Sequence, residues 1–291
     1  MSHTTAPAHL IENCFYEGER PLFGLKNHTL DRVKIYPGES ALKHSEDLIT
    51  RNCEYMGKYP YWHSNNIVIA DSLFTPYARA AIWYAQHIHM KNCVVDAPKM
   101  FRRVAYSIIE NTRFTDAGET FWNCHDVSLH NVELAKADYV FMNGEELQIE
   151  NMKLQGNYSF QDARNVVIRN SYLNSKDALW GTENVTVHDS ILEGEYLGWY
   201  SKNLKLVNCT IRGGQPLYYA EGLVLENCKM ENTDLCFEYS DVQADVISTI
   251  DSVRNPKGGW IHAPEIKEII IDEHCLSPGA CKIVQTNQVN V

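Results

Sequence analysis

An asparagine, or an aspartate in its place, returns every 19 to 21 residues through most of this 291-residue chain. It stands at Asn52, Asp71, Asn92, Asn111, Asn131, Asn151, Asn170, Asp189, Asn208 and Asn227. A fixed period near twenty, sustained over that many units, specifies a solenoid. Each unit is one coil that cannot bury its own apolar face and must stack on the coil before it.

The residues around the repeated position say how a coil is built. Two places before it stand Ile69, Met90, Ile109, Leu129, Ile149, Ile168, Val187, Leu206 and Leu225, and a further apolar residue usually lies two places earlier. Alternation of this kind is a half-buried strand. Three places after the asparagine an apolar residue recurs from Tyr55 and Phe74 through Ile211 to Met230, so a second strand follows the bend. Coils spaced ~4.8 Å apart bring each asparagine within reach of the next, as a ladder of side-chain amides. Asn165, Asn184 and Asn203, five places upstream, predict a second and shorter ladder.

These features predict an all-β fold, a right-handed parallel β-helix of about 12–14 coils of 19–21 residues. Leucine-rich repeats have similar periods but place their asparagine differently and need a leading Leu-x-x-Leu. The internal period of six that marks left-handed hexapeptide helices is absent. One domain is expected over residues 1–291. Residues 1–45 form an N-terminal cap with degenerate coils, 46–240 the regular coils, and 241–291 irregular last coils and a C-terminal cap.

Composition narrows the function classes. A net charge of −11 opposes a phosphate-tracking surface, so nucleic acid is not an expected partner. The segment Met1 to Ala8 is not a secretory signal, and no apolar run is long enough to span a membrane. Of nine cysteines, Cys14, Cys53, Cys93, Cys209 and Cys228 directly follow a repeat asparagine, which places small apolar thiols in the core. A reduced, cytoplasmic protein is the expectation.

Several phrases are distinctive: GERPLFG (18–24), PGESALK (37–43), KYPYW (58–62), ARAAIWY (78–84), APKMFRR (97–103), ETFW (119–122), GNYSF (156–160), SKDALW (175–180) and GEYLGWYSKNL (194–204). In that order they resemble a bacterial family of right-handed β-helix proteins classed as a domain of unknown function. The resemblance covers roughly residues 10 to 270. It implies a pectin-lyase-like fold and no particular activity.

Chemistry is concentrated four to twelve places after each asparagine. Lys99, Glu119, Asp138, Tyr158, Asp177 and Glu195 occupy nearly the same offset in successive coils, with Gln215 and Asp234 following. Equal offsets mean a stripe down one side. Asp177 and Glu195 are adjacent in it, and two close carboxylates become an acid beside a base or nucleophile, as glycoside hydrolysis needs. They are the candidate catalytic pair, and Glu119 with Asp138 is a second. Lys99, Arg102 and Lys176 could hold a substrate carboxylate, or serve as base or countercharge in a β-elimination, so a polysaccharide lyase stands beside the hydrolase. The polygalacturonase Asp-Asp, Gly-His-Gly and Arg-Ile-Lys signatures are absent. On an exterior turn, solvated acids paired with lysines are the plainer reading.

Trp62, Trp180 and Trp199 share offset ten with Phe121, Phe141, Tyr218 and Phe237, an alignment that predicts a stripe inside the core. Tyr59, Tyr158 and Tyr196, at offset seven, predict an outward tyrosine ladder. Gly194 and Gly198 flank Glu195 and Tyr196, as tight bends require. His87 and His125 lie two coils apart, too far to share a metal, and no cofactor or metal is expected. The sequence reading is a protein that binds or cleaves an oligosaccharide along this stripe. Its candidate binding residues are Lys99, Arg102, Glu119, Asp138, Tyr158, Lys176, Tyr196 and Trp199. The alternative is a non-catalytic structural or interaction scaffold that binds itself, as a homo-oligomer, or another protein.

Overall fold

The strand pattern read from the sequence is the strand pattern found. A computed structural model describes residues 9–287, so the reading of Met1 to Ala8 lies outside the described residues. Strands such as Asn65–Ala70, Gln86–Lys91 and Ala105–Glu110 recur with the period and pair in parallel. Apart from the 3-10 turn Pro76–Ala78, no helix occurs among the described residues. The fold is a right-handed parallel β-solenoid of about 15 turns, as parallel crossovers dictate. The count exceeds the expected 12 to 14 because strands His9–Glu12 and Lys26–Asp31 at one end, and Gly258–Ala263 and Cys281–Gln285 at the other, keep the pairing.

Two compact units divide the chain, residues 1–148 and 149–291. In the first, Ile67 pairs with Ile88, Ile69 with Met90, and Met90 with Ile109. In the second, Val166, Val185 and Leu204 form one in-register line, and Ile168, Val187 and Leu206 another. The apolar residue three places past the asparagine is buried throughout: Tyr55, Phe74, Val95, Phe114 and Leu134 in the first unit, Leu154, Leu173, Leu192, Ile211 and Met230 in the second. Each such side chain contributes ~1.5–3 kcal/mol by leaving water.

Coils turn at corners where the backbone enters the left-handed region. From Asn92 (φ 54°) these corners are Lys99 (60°), Arg103 (52°) and Tyr106 (53°), with Asn111 (47°) opening the next coil. In the second unit the series runs Asn170 (48°), Asp177 (53°), Gly181 (64°), Asn184 (55°) and Asp189 (49°). Asparagine and aspartate tolerate this geometry best among residues with a side chain, which is half the reason the asparagine recurs.

The ladder is the other half. The Asn92 amide donates to Asp71 (3.0 Å), Asn111 to Asn92 (3.4 Å) and Asn131 to Asn111 (3.0 Å). In the second unit Asn208 donates to Asp189 and Asn227 to Asn208, each at 2.9 Å. The expected second ladder is present too, with Asn184 donating to Asn165 (3.1 Å) and Asn203 to Asn184 (2.9 Å). Directly after the asparagine, Cys53, Ser72, Cys93, Thr112, Ser171, Ser190, Cys209 and Cys228 turn inward. Their thiols and hydroxyls donate to the carbonyl two residues back, as Ser190 does at 2.6 Å and Cys209 at 3.3 Å. The cysteines therefore fill core space and satisfy a carbonyl exposed by the bend; all nine are free thiols.

Candidate functional site

In the second unit, backbone bonds fix the corner residues one coil apart. The Tyr158 amide donates to the Lys176 carbonyl (2.7 Å), Asp177 to Glu195 (2.9 Å) and Tyr196 to Gly214 (3.1 Å). Tyr158, Asp177 and Tyr196 thus succeed one another, and the outward ladder expected for Tyr158 and Tyr196 is interrupted by Asp177. Two places before Tyr196 the chain carries Gly194, and the next coil carries Gly213 at the corresponding position. A Cβ on Gly194 would lie 2.3 Å from the Ser175 carbonyl oxygen, and one on Gly213 equally close to that of Gly194. Bare backbone therefore runs beside Ser175, two places before Asp177.

The two candidate acids are in very different surroundings. Asp177 is only 6% exposed and receives no hydrogen bond on its carboxyl from the described residues. Burial pushes its pKa up, with Lys176 opposing and Glu195 adding to the rise. Glu195 is open to solvent, its side chain 59% exposed, and Lys176 Nζ lies 3.6 Å from Oε2. The same ammonium sits 5.0 Å over the Tyr196 ring, which meets Trp199 edge to face at 5.2 Å. Lys176, Asp177, Glu195, Tyr196 and Trp199 are thereby one cluster, in which a largely buried carboxyl with a raised pKa lies beside a solvent-facing carboxylate within reach of an ammonium.

The first unit gathers a different set. Lys99 Nζ is 3.0 Å from Glu119 Oε1, and Arg102 Nη2 is 3.3 Å from Oε2. Glu119 is thus shared by two cations, and the Asp138 carbonyl accepts the Glu119 amide at 2.8 Å. The Arg102 guanidinium lies between Trp83 (4.5 Å) and Trp122 (4.3 Å), a cation–π sandwich.

The tryptophans are not in the core, contrary to the sequence expectation. Trp62, Trp180 and Trp199 are half-buried on the outside, whereas Phe121, Phe141 and Phe237 are fully enclosed. Nineteen-residue coils place the core residue at offset nine and the outer residue at ten; coils of 20 and 21 residues insert their extra residues earlier and move both along by one or two. A shift of one residue reverses the face, so a shared offset joined two neighbouring columns. Four of the outer indoles donate to a backbone carbonyl of the next coil: Trp62 to Ala80, Trp83 to Lys99, Trp199 to Gln215 and Trp122 to Tyr139. Trp62 stacks on Trp83 (5.1 Å, 8°) and Trp199 on Tyr218 (4.9 Å, 5°), so the rings cover one another and turn their edges to solvent. A further column of stacked rings, Tyr200 on Tyr219 (4.7 Å, 1°), runs beside the second stack.

Sequence reasoning passed over two groups. Lys58, Arg79 and Arg103 lie among the quoted phrases but were not ranked by charge. The Glu238, Arg254, Asn255 and Asp272 network sits where the period fades: Arg254 pairs with Glu238 and with Asp272, each at 3.1 Å, and the buried Asn255 amide donates to both acids. His87 and His125 are separated by Tyr106, which contacts both rings. No cluster of three metal-ligating side chains occurs among the described residues, and no helix is long and apolar enough to cross a membrane.

A family model described as "Protein of unknown function (DUF3737)" matches residues 9–284. The chain belongs to that family. The match extends the resemblance carried by the sequence phrases to nearly all of the DUF3737 chain. No curated protein matches it. Among solved structures, the surface adhesin PfbA of Streptococcus pneumoniae is similar at 10% identity and a TM-score of 0.43, over 96% of this chain and 86% of the adhesin. The mannuronan C-5 epimerase AlgE4 A-module of Azotobacter vinelandii aligns at 8% identity and 0.31, over 94% and 88%. An exopolygalacturonase from Thermotoga maritima aligns at 8% and 0.29, over 96% and 82%. At such values these likenesses say nothing of what the DUF3737 protein does.

Proposed function

We propose that this protein binds an oligosaccharide at the Asp177 corner of the second unit and hydrolyses it, with Asp177 as general acid and Glu195 as the ionised partner. The observation that carries the reading is Asp177 itself, a largely buried residue whose carboxyl accepts no hydrogen bond from the described residues and whose pKa burial raises. A carboxyl whose pKa is raised by burial holds a proton more tightly and can deliver it to the glycosidic oxygen as the C–O bond breaks. Glu195, with the Lys176 ammonium 3.6 Å from its Oε2, acts on the opposite face of the sugar, either as base toward water or as nucleophile. Water supplies the hydroxyl and the proton that complete the two products. Tyr158, Tyr196 and the Trp199 edge supply the apolar and hydroxyl surface for the sugar.

Incubation of the purified protein with neutral and uronate oligosaccharides, read by mass spectrometry, tests this. Cleavage products carrying the mass of one water are expected. Asp177→Asn should reduce their rate by ~10²–10⁴-fold, the usual weight of a general acid, while the fold is kept. Unsaturated fragments would replace hydrolysis by elimination, and oligosaccharides that return intact would sink the catalytic reading.

A scaffold without catalysis is the second reading, motivated by the ring-on-ring columns. Rings that cover one another join coils rather than grip a ligand. On that reading the protein turns over none of the substrates and its sedimentation mass rises with concentration.

A further inference from the structure

Three consecutive stretches of the first unit, residues 57–63, 78–84 and 97–103, contain no acidic residue in a chain whose net charge is −11. They carry Lys58, Arg79, Lys99, Arg102 and Arg103, and they lie one on another. His63 donates its amide to Trp83 and Tyr84 to Arg102, while Tyr59 and Ala80 bond to Arg79 and Pro98. Lys99 and Arg102 share Glu119 from the following coil. Lys58, Arg79 and Arg103 are exposed and have no carboxylate within ion-pair reach among the described residues. Arg103 stands 5.8 Å over the Tyr84 ring, and the buried Nε of Arg102 has no acceptor. From this juxtaposition we infer that the face is a binding site for a linear saccharide chain bearing carboxylates, a uronate oligomer.

Charge, period and ring orientation select that class. Lys58 and Arg79 are one coil apart, and the third stretch continues the cations, so positive charge recurs at about the ~4.8 Å coil spacing. A chain with one carboxylate on each successive ring meets that recurrence. The arginine fork matches a carboxylate in two hydrogen bonds. The hydroxyls of Tyr59 and Tyr84 and the indole edges of Trp62 and Trp83 offer partners for sugar hydroxyls and C–H groups. A single-stranded nucleic acid would need open ring faces for its bases, and here the Trp62 and Trp83 faces cover each other. The ligand class rests on the oligosaccharide reading above; the site does not depend on cleavage.

Titration calorimetry of the full-length protein with a short oligogalacturonate, its methyl ester and an oligothymidylate tests the inference, with products assayed in parallel. The acid is expected to bind, more weakly as salt rises, and the ester at least about tenfold more weakly. Arg79→Gln with Arg103→Asn should weaken the acid by about tenfold. Asparagine suits the left-handed corner at 103, so this variant should fold, and circular dichroism would verify that it does. Equal binding of acid and ester, equal or tighter binding of the oligothymidylate, or an unchanged affinity in the double variant would overturn the site. Binding without cleavage products would overturn only the hydrolytic reading of Asp177.

Discussion

Asp177 is a poor residue for stability where it stands, which is why it signals function. Burial holds its pKa above the ordinary carboxylate range, so the folded state retains the proton more tightly than the unfolded chain. Its contribution is fully favourable below that range and is lost as pH rises through the folded value. Asp177→Asn should therefore raise the thermal midpoint at pH 7, and the gain should shrink toward pH 3. A variant less stable than wild type at pH 7 would show that the carboxylate is structurally required. At the same scale, burial raises Cys93 to about 11 and Cys124 to about 12. Iodoacetamide at pH 8 should leave both unmodified in the native protein and alkylate both in denaturant, as peptide mass mapping would record.

Among the elements, the asparagine ladder has a polarity that sets its vocabulary. Every amide recorded in it donates toward the preceding coil, so an aspartate, which only accepts, can begin a run but not continue one. Asp71 and Asp189 stand at such starts. Asn208→Asp should lose the bond to Asp189 and set two acids side by side, with the larger destabilisation at neutral pH. Asn208→Gly keeps the backbone freedom and loses only the ladder, at ~1–2 kcal/mol, whereas Asn208→Ala adds the left-handed penalty of ~1 kcal/mol. Urea titrations would rank the three, and an Ala no worse than Gly would remove the backbone half of the account.

The ladder and the strands were legible because their period is carried by single residue types at fixed spacing. The tryptophan columns were not, because coils of 19, 20 and 21 residues change the offset at which a side chain points outward. The environments of Asp177 and Glu195 were illegible for another reason. Neighbouring offsets give proximity of backbone, whereas the burial of Asp177 and the exposure of Glu195 depend on which way each side chain packs and on the reach of Lys176. The Glu238 to Asp272 network lies where the repeat is weakest, and nothing periodic marks it.

For the whole molecule, acid should act through carboxyls held below their ordinary range. Asp31 is lowered by the amide of Asn52, then by Arg32 and Arg51, and Asp272 by Asn255, then by the His274 amide and Arg254. A group with a depressed folded pKa contributes stability above the ordinary carboxylate range and loses it as pH falls through the folded value. The urea midpoint should decline as pH falls from 5 toward 2. Asp272→Asn should flatten that decline, and an equally steep decline in the variant would assign it to other acids.

The indole pairs give the protein a built-in optical reporter. Trp62 and Trp83 are near-parallel and in contact, and Trp180 lies 5.3 Å from Trp199. Identical chromophores this close share their excitation, and the coupled transitions split into bands of opposite sign in circular dichroism. A single coil slipping against its neighbour would erase one couplet while the backbone signal barely changed. The two pairs lie in different units, so spectra of Trp83→Phe and Trp199→Phe would assign the couplets and follow the loosening of each unit separately.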